Sequence, residues 1–163
     1  MHDNETRGKF TLRLESEDAT RALGAQLARG LKPGLAVYLS GELGSGKTAL
    51  VRAMLEALGI SGKIKSPTYT IVEPYQSGEL AVYHFDFYRF RNAAEWEEAG
   101  LREYFNARSV CLVEWPEKAG PDLPRPDWAI RLTVVAPEIR DLELDAATEL
   151  GKQCLKLATC VSA

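Results

Sequence analysis

Apolar residues follow two rhythms along this chain. Phe10, Leu12 and Leu14 alternate with polar neighbours, the two-residue period of a strand with one buried face. Ser16 then stands where an N-cap belongs, with Glu17 and Asp18 in the first turn of a helix that runs to about Arg29 and stops at Gly30. Lys32, Pro33 and Gly34 turn the chain into Leu35–Leu39, an unbroken apolar run suited to a central strand. After it, Leu50, Val51, Met54, Leu55 and Leu58 recur at helical spacing until Gly59.

Tyr69–Tyr75 and Leu80–Tyr88 read as two strands separated by Gln76, Ser77, Gly78 and Glu79, a hairpin signature. Asn92 and Glu95 have capping-box spacing for a short helix ending near Gly100, and a second short helix covers Leu101–Phe105. Val110–Val113 is a further apolar strand, Pro116–Pro126 a loop, and Trp128–Val135 and Asp141–Leu144 two alternating strands. The last dozen residues fit either a helix or a frayed tail. Together these elements predict an α/β fold with a mixed parallel and antiparallel sheet flanked by helices.

At 163 residues, with 45% hydrophobic and 26% charged, the chain can build one core, and 1–163 reads as one domain with 1–9 a flexible lead-in. A net charge of −3 argues against a surface built chiefly for nucleic acid, so any RNA role is expected to be indirect. Arg89, Arg91, Arg102 and Arg108 read as solvated surface charge rather than a convergent basic patch. Three cysteines without C-x-x-C spacing make neither a disulfide framework nor a zinc site and suit a reducing compartment. The start has no apolar stretch of signal-peptide type and nothing approaches a membrane-spanning length, so no membrane partner and a cytoplasmic location are expected.

The chemistry lies between the central strand and the helix after it. Gly41, Glu42, Leu43, Gly44, Ser45, Gly46, Lys47 and Thr48 read GELGSGKT, an unbroken match to G-x-x-x-x-G-K-[ST] in its proper strand–loop–helix setting. The glycines let backbone N–H groups face phosphate oxygens, Lys47 adds a mobile positive charge, and the Thr48 hydroxyl can ligate Mg²⁺. The fold expected is therefore that of a P-loop NTPase. The helix N-terminus favours an anion at the same point.

Two acids sit at strand ends, where ligands of open α/β sheets bind. Asp86 closes LAVYHFD and Glu114 closes VCLVE, and on residue types alone either can serve the metal. Thr68, in the segment SPTYT after the P-loop helix, has the place of a switch threonine beside a γ-phosphate; a Pro-initiated strand entry accounts for it equally well. His84 shares a strand face with Asp86 and reads as a hydrogen-bonded structural residue. Tyr88 and Trp115 border the same strand ends and suit packing at the rim.

GELGSGKT, SPTYTIVEPY, YHFDFYR and CLVEWPEKAG, in that order and spacing over about Leu35 to Gly120, resemble the TsaE (YjeE) family of bacterial P-loop ATPases. Where relatives often carry Asp after the first glycine and Ala before the third, this chain has Glu42 and Ser45. The resemblance implies an Mg²⁺-dependent accessory ATPase, slow alone, in tRNA threonylcarbamoyladenosine modification. It implies the TsaB–TsaD heterodimer as partner, with tRNA reached indirectly through that complex. Residue by residue, it implies that Lys47 and Thr48 are the P-loop lysine and Mg²⁺-ligating threonine, Glu114 the second Mg²⁺ ligand, and Asp86 an acid needed for ATP hydrolysis. The segment around Thr68 matches the switch-like stretch.

Two other readings compete. Short P-loop proteins include small-molecule kinases, although no long Arg-bearing lid is visible here. A GTP-dependent switch needs N-K-x-D, which the chain lacks, and D-x-x-G, whereas Asp86 is followed by Phe87, Tyr88 and Arg89.

Overall fold

The computed structural model describes residues 8–60 and 70–160. In chain order they form β1 (Lys9–Leu14), α1 (Glu17–Ala28), β2 (Ala36–Ser40), α2 (Lys47–Ala57), β3 (Val72–Ser77), β4 (Leu80–Asp86), α3 (Ala94–Ala99), β5 (Ser109–Glu114), β6 (Trp128–Ala136), β7 (Ile139–Ala146) and α4 (Glu149–Thr159). Single 3₁₀ turns at Arg102–Tyr104 and Pro116–Ala119 complete the set.

The seven strands form a mixed sheet in the order β1-β7-β6-β2-β5-β4-β3. Its centre, β6-β2-β5-β4, is parallel, and antiparallel strands add to both sides. Central strands are covered on both faces, which is why β2 and β5 read as continuous apolar runs. On one face α1, α2 and α4 bury Leu23, Leu27, Leu50, Met54 and Leu155 against Val37, Leu39 and Leu112. On the other, an aromatic cluster including Phe85, Phe87, Phe90 and Trp96 seals β4 and β5 beneath α3 and the two 3₁₀ turns. Gly24 permits the α1–α2 approach, because a Cβ there would fall 2.3 Å from the Cβ of Ala53.

Several local expectations change. β1 starts one residue early, at Lys9, so the end of the expected lead-in is strand. The β3–β4 hairpin turns on two residues rather than four: Ser77 pairs with Leu80, and Gly78 takes a φ of 59° at the turn. Pro74 is accommodated because β3 is the sheet edge. The Asn92–Glu95 capping box is displaced: Asn92 accepts from the Ala94 N–H, whereas Glu95 accepts from the Arg91 N–H. The second short helix contracts to one 3₁₀ turn, and Pro116 at a first-turn position starts another inside the expected loop. At the C-terminus the helix wins over the frayed tail. Thr148 caps it by accepting from the Gly151 N–H at 2.9 Å while its own hydroxyl donates to Asp127 at 2.6 Å.

Candidate functional site

β2 delivers the chain into the glycine loop at the carboxyl edge of the parallel strands, with β5 on one side and β6 on the other. Gly41 is required by space: a Cβ would lie 2.6 Å from both the Leu132 carbonyl oxygen and Ser45 Oγ. Gly44 and Gly46 are required by conformation, with φ of 80° and 102°. Ser45 is buried, and its N–H donates to the Glu42 carbonyl at 3.0 Å, closing the loop on itself. α2 starts at Lys47, so the positive end of its dipole and its first N–H groups meet the loop.

Lys47 is only 4% exposed. Its Nζ donates to the carbonyls of Gly41 at 2.6 Å and Glu42 at 3.0 Å and lies 4.2 Å from the centre of the Trp115 ring. Burial holds its pKa below the ordinary lysine value, against the opposing pull of Glu114, Glu117 and Asp86.

The two strand-end acids are register partners on adjacent parallel strands. Glu114 is buried and accepts on both oxygens, from Thr48 Oγ1 at 2.8 Å and from His84 Nε2 at 2.6 Å. His84 therefore acts on Glu114 across the sheet rather than on Asp86 along its own strand. Asp86 is more open to the cleft. It accepts from the Tyr88 N–H at 2.9 Å, and burial raises its pKa despite that hydrogen bond.

These groups surround a cleft of about 380 Å³ lined from Leu43 to Ala49 and by Asp86, Tyr88, Glu114 and Trp115. Gly41 and Glu42 contribute through the carbonyls that hold Lys47. Tyr88 and Trp115 form a ring pair 4.9 Å apart at the rim. Trp115 has a φ of 58°, an uncommon conformation for so large a side chain, immediately after Glu114. Thr68 lies outside the described residues.

The oxygen donors Thr48 and Glu114 suit Mg²⁺, a hard cation that takes oxygen ligands. Among the described residues no group of three or more His, Cys, Asp or Glu side chains could hold a metal. Among the same residues no helix is long and apolar enough to cross a membrane.

Two features escaped the sequence reading. The His84–Glu114 pair joins residues 30 apart, and only the parallel β4–β5 register brings them together. Arg140, on β7, reaches the loop from the other side. Its Nε donates to the Ser45 carbonyl at 3.1 Å and its Nη2 to the Gly44 carbonyl at 3.3 Å. No local motif marks it.

The family model described as "Threonylcarbamoyl adenosine biosynthesis protein TsaE" matches residues 14–142. A relative from Haemophilus influenzae named "tRNA threonylcarbamoyladenosine biosynthesis protein TsaE" is 46% identical over 119 residues, covering 73% of this chain and 75% of its own length. A Bacillus subtilis protein of the same name is 37% identical over 134 residues, covering 82% and 84%. Among solved structures, the crystal structure of YdiB from Bacillus subtilis superposes with a TM-score of 0.76 at 30% identity, covering 92% of this chain and 94% of that one.

Proposed function

The chain belongs to the TsaE family, whose members act in tRNA threonylcarbamoyladenosine biosynthesis, and on that premise we propose that it is a single-domain, Mg²⁺-dependent ATPase serving that modification. The observation that carries this reading is the meeting of Thr48 with Glu114 at 2.8 Å beneath the glycine loop and Lys47. Nucleotide binding belongs to the loop. Gly41, Glu42, Leu43, Gly44, Ser45, Gly46, Lys47 and Thr48 form the cradle, and Lys47 exchanges carbonyl oxygens of its own loop for phosphate oxygens. Thr48 and Glu114 hold Mg²⁺, and His84 fixes the orientation of the Glu114 carboxylate by donating to one of its oxygens. When bound, Mg²⁺ offsets charge on the β- and γ-phosphates.

Asp86 is the catalytic acid–base group. It orients a water and takes its proton as that water's oxygen bonds to the γ-phosphorus and the bond to the ADP oxygen breaks. Its pKa, raised by burial, makes it a better proton acceptor than an ordinary surface carboxylate. Thr68 is assigned the role of sensing the γ-phosphate.

The partner is the TsaB–TsaD heterodimer, tRNA is reached through that complex, and the setting is cytoplasmic. Size-exclusion chromatography with TsaB–TsaD in ATP, in ADP and without nucleotide tests the partnership. A complex whose yield changes with the nucleotide is expected. No complex in any of the three conditions would overturn the accessory role and favour a small-molecule kinase.

A further inference from the structure

We infer that Arg140 is a positioning residue that sets the peptide planes of the phosphate loop, an inference that rests on the nucleotide reading of the cleft. A trans peptide is planar, with its carbonyl and N–H on opposite sides, so fixing one fixes the other. Arg140 holds the Gly44 carbonyl through Nη2, and the Ser45 N–H of the same plane donates in the other direction, to Glu42. It holds the Ser45 carbonyl through Nε, which turns the N–H of Gly46 away from the guanidinium. Gly46 and Lys47 line the cleft.

These two planes need an external hold because they are flanked by the residues least able to hold themselves. A Cβ at Gly44 or Gly46 would have no heavy atom within 4 Å, so the side where a side chain would sit is open at both positions. Glycine visits both signs of φ readily, and rotation at either end would swing a carbonyl toward the phosphates.

The anchor is itself fixed. Nη1 donates to the carbonyls of Ala136 and Pro137, both at 3.1 Å, and of Ile139 at 3.2 Å, where β6 turns into β7. A planar fork can serve a hairpin turn and a loop together, which a single ammonium cannot. The five hydrogen bonds of Arg140 among the described residues all go to backbone carbonyls. Bound phosphate therefore need not displace any of them.

The test is calorimetric titration of wild-type, R140A and R140K protein with ATP and with ADP in Mg²⁺, well below each variant's melting temperature. Amide spectra of Ser45 and Gly46 are recorded for the same samples. R140A and R140K should each lose on the order of tenfold in affinity for both nucleotides, the scale of a lost charge-assisted hydrogen bond. The Ser45 and Gly46 amide signals should shift or broaden. A residue that only braces the hairpin would lower the melting temperature and leave both affinities unchanged, and that result overturns the inference. Full recovery in R140K also overturns it, since charge without the fork would then suffice. If R140A is poorly folded, R140K carries the test. Wild-type protein that fails to bind either nucleotide would instead overturn the nucleotide reading beneath it.

Discussion

On the cleft side of the phosphate loop, Lys47, Thr48 and Glu114 make contacts that a nucleotide and its metal can replace: ammonium to carbonyl, hydroxyl to carboxylate. On the opposite side Arg140 grips backbone carbonyls that no ligand needs. The difference separates what must exchange during binding from what must stay still. A cradle whose two sides were equally labile would spend ligand affinity on ordering itself. The two strand-end acids divide in a similar way. Glu114 accepts on both oxygens, from Thr48 and His84, whereas Asp86 lines the cleft and accepts from the Tyr88 N–H.

The largest break of this contrast is expected from Lys47→Ala. It should weaken ATP at least about a hundredfold by calorimetry, since it removes a buried charge made for phosphate. Asp86→Asn comes next: turnover should fall on the order of a hundredfold, the range of lost general-base catalysis, with ATP affinity little changed. Equal losses of binding and turnover would erase the distinction between the two acids.

The pH profile sharpens the same point. Because the Asp86 pKa is raised, the carboxylate proposed as proton acceptor is lost at a higher pH than an ordinary Asp would lose it, so the acid limb of the rate profile should lie above that of an ordinary Asp and vanish in Asp86→Asn. For folding the sign is opposite: burial favours the neutral form, so Asp86 weakens the fold as pH rises through its raised pKa.

Glu114→Gln should act through the metal, raising the Mg²⁺ needed for half-maximal turnover on the order of tenfold. The smallest effect belongs far from the loop, at the exposed Arg13–Asp141 pair. Arg13→Ala should leave nucleotide affinity unchanged and alter the thermal midpoint within scatter near neutral pH. The Arg13 guanidinium holds the Asp141 pKa down, so the small stabilisation it gives is present above the usual carboxylate value and fades as pH falls through the lowered one.

Where chemistry follows local order, the chain was readable. GELGSGKT announces its turn, its charge and its helix in eight consecutive residues, and uniform hydrophobicity marks β2 and β5 as the buried centre. Asp86 and Glu114 were visible as strand ends, but their separate surroundings were not, because they depend on β4 lying beside β5 in one register. The same holds for His84, whose strand neighbour Asp86 was a reasonable partner until the adjacent strand supplied a closer one. Arg140 was illegible for a stronger reason. Its partners on the phosphate loop are backbone atoms 95 and 96 residues away, and carbonyls leave no residue type to notice.

Lys47, Thr48, Glu114 and Asp86 are proposed to form together an Mg²⁺-dependent ATP-hydrolysing site. Single-turnover phosphate release, with wild-type protein in excess over ATP, tests it most directly because a slow enzyme still completes one cycle. Release is expected in Mg²⁺, stopping with EDTA and strongly slowed in Asp86→Asn while ATP remains bound. Bound ATP that yields no phosphate above the buffer control in Mg²⁺, or yields it equally with EDTA, would rule out such a site.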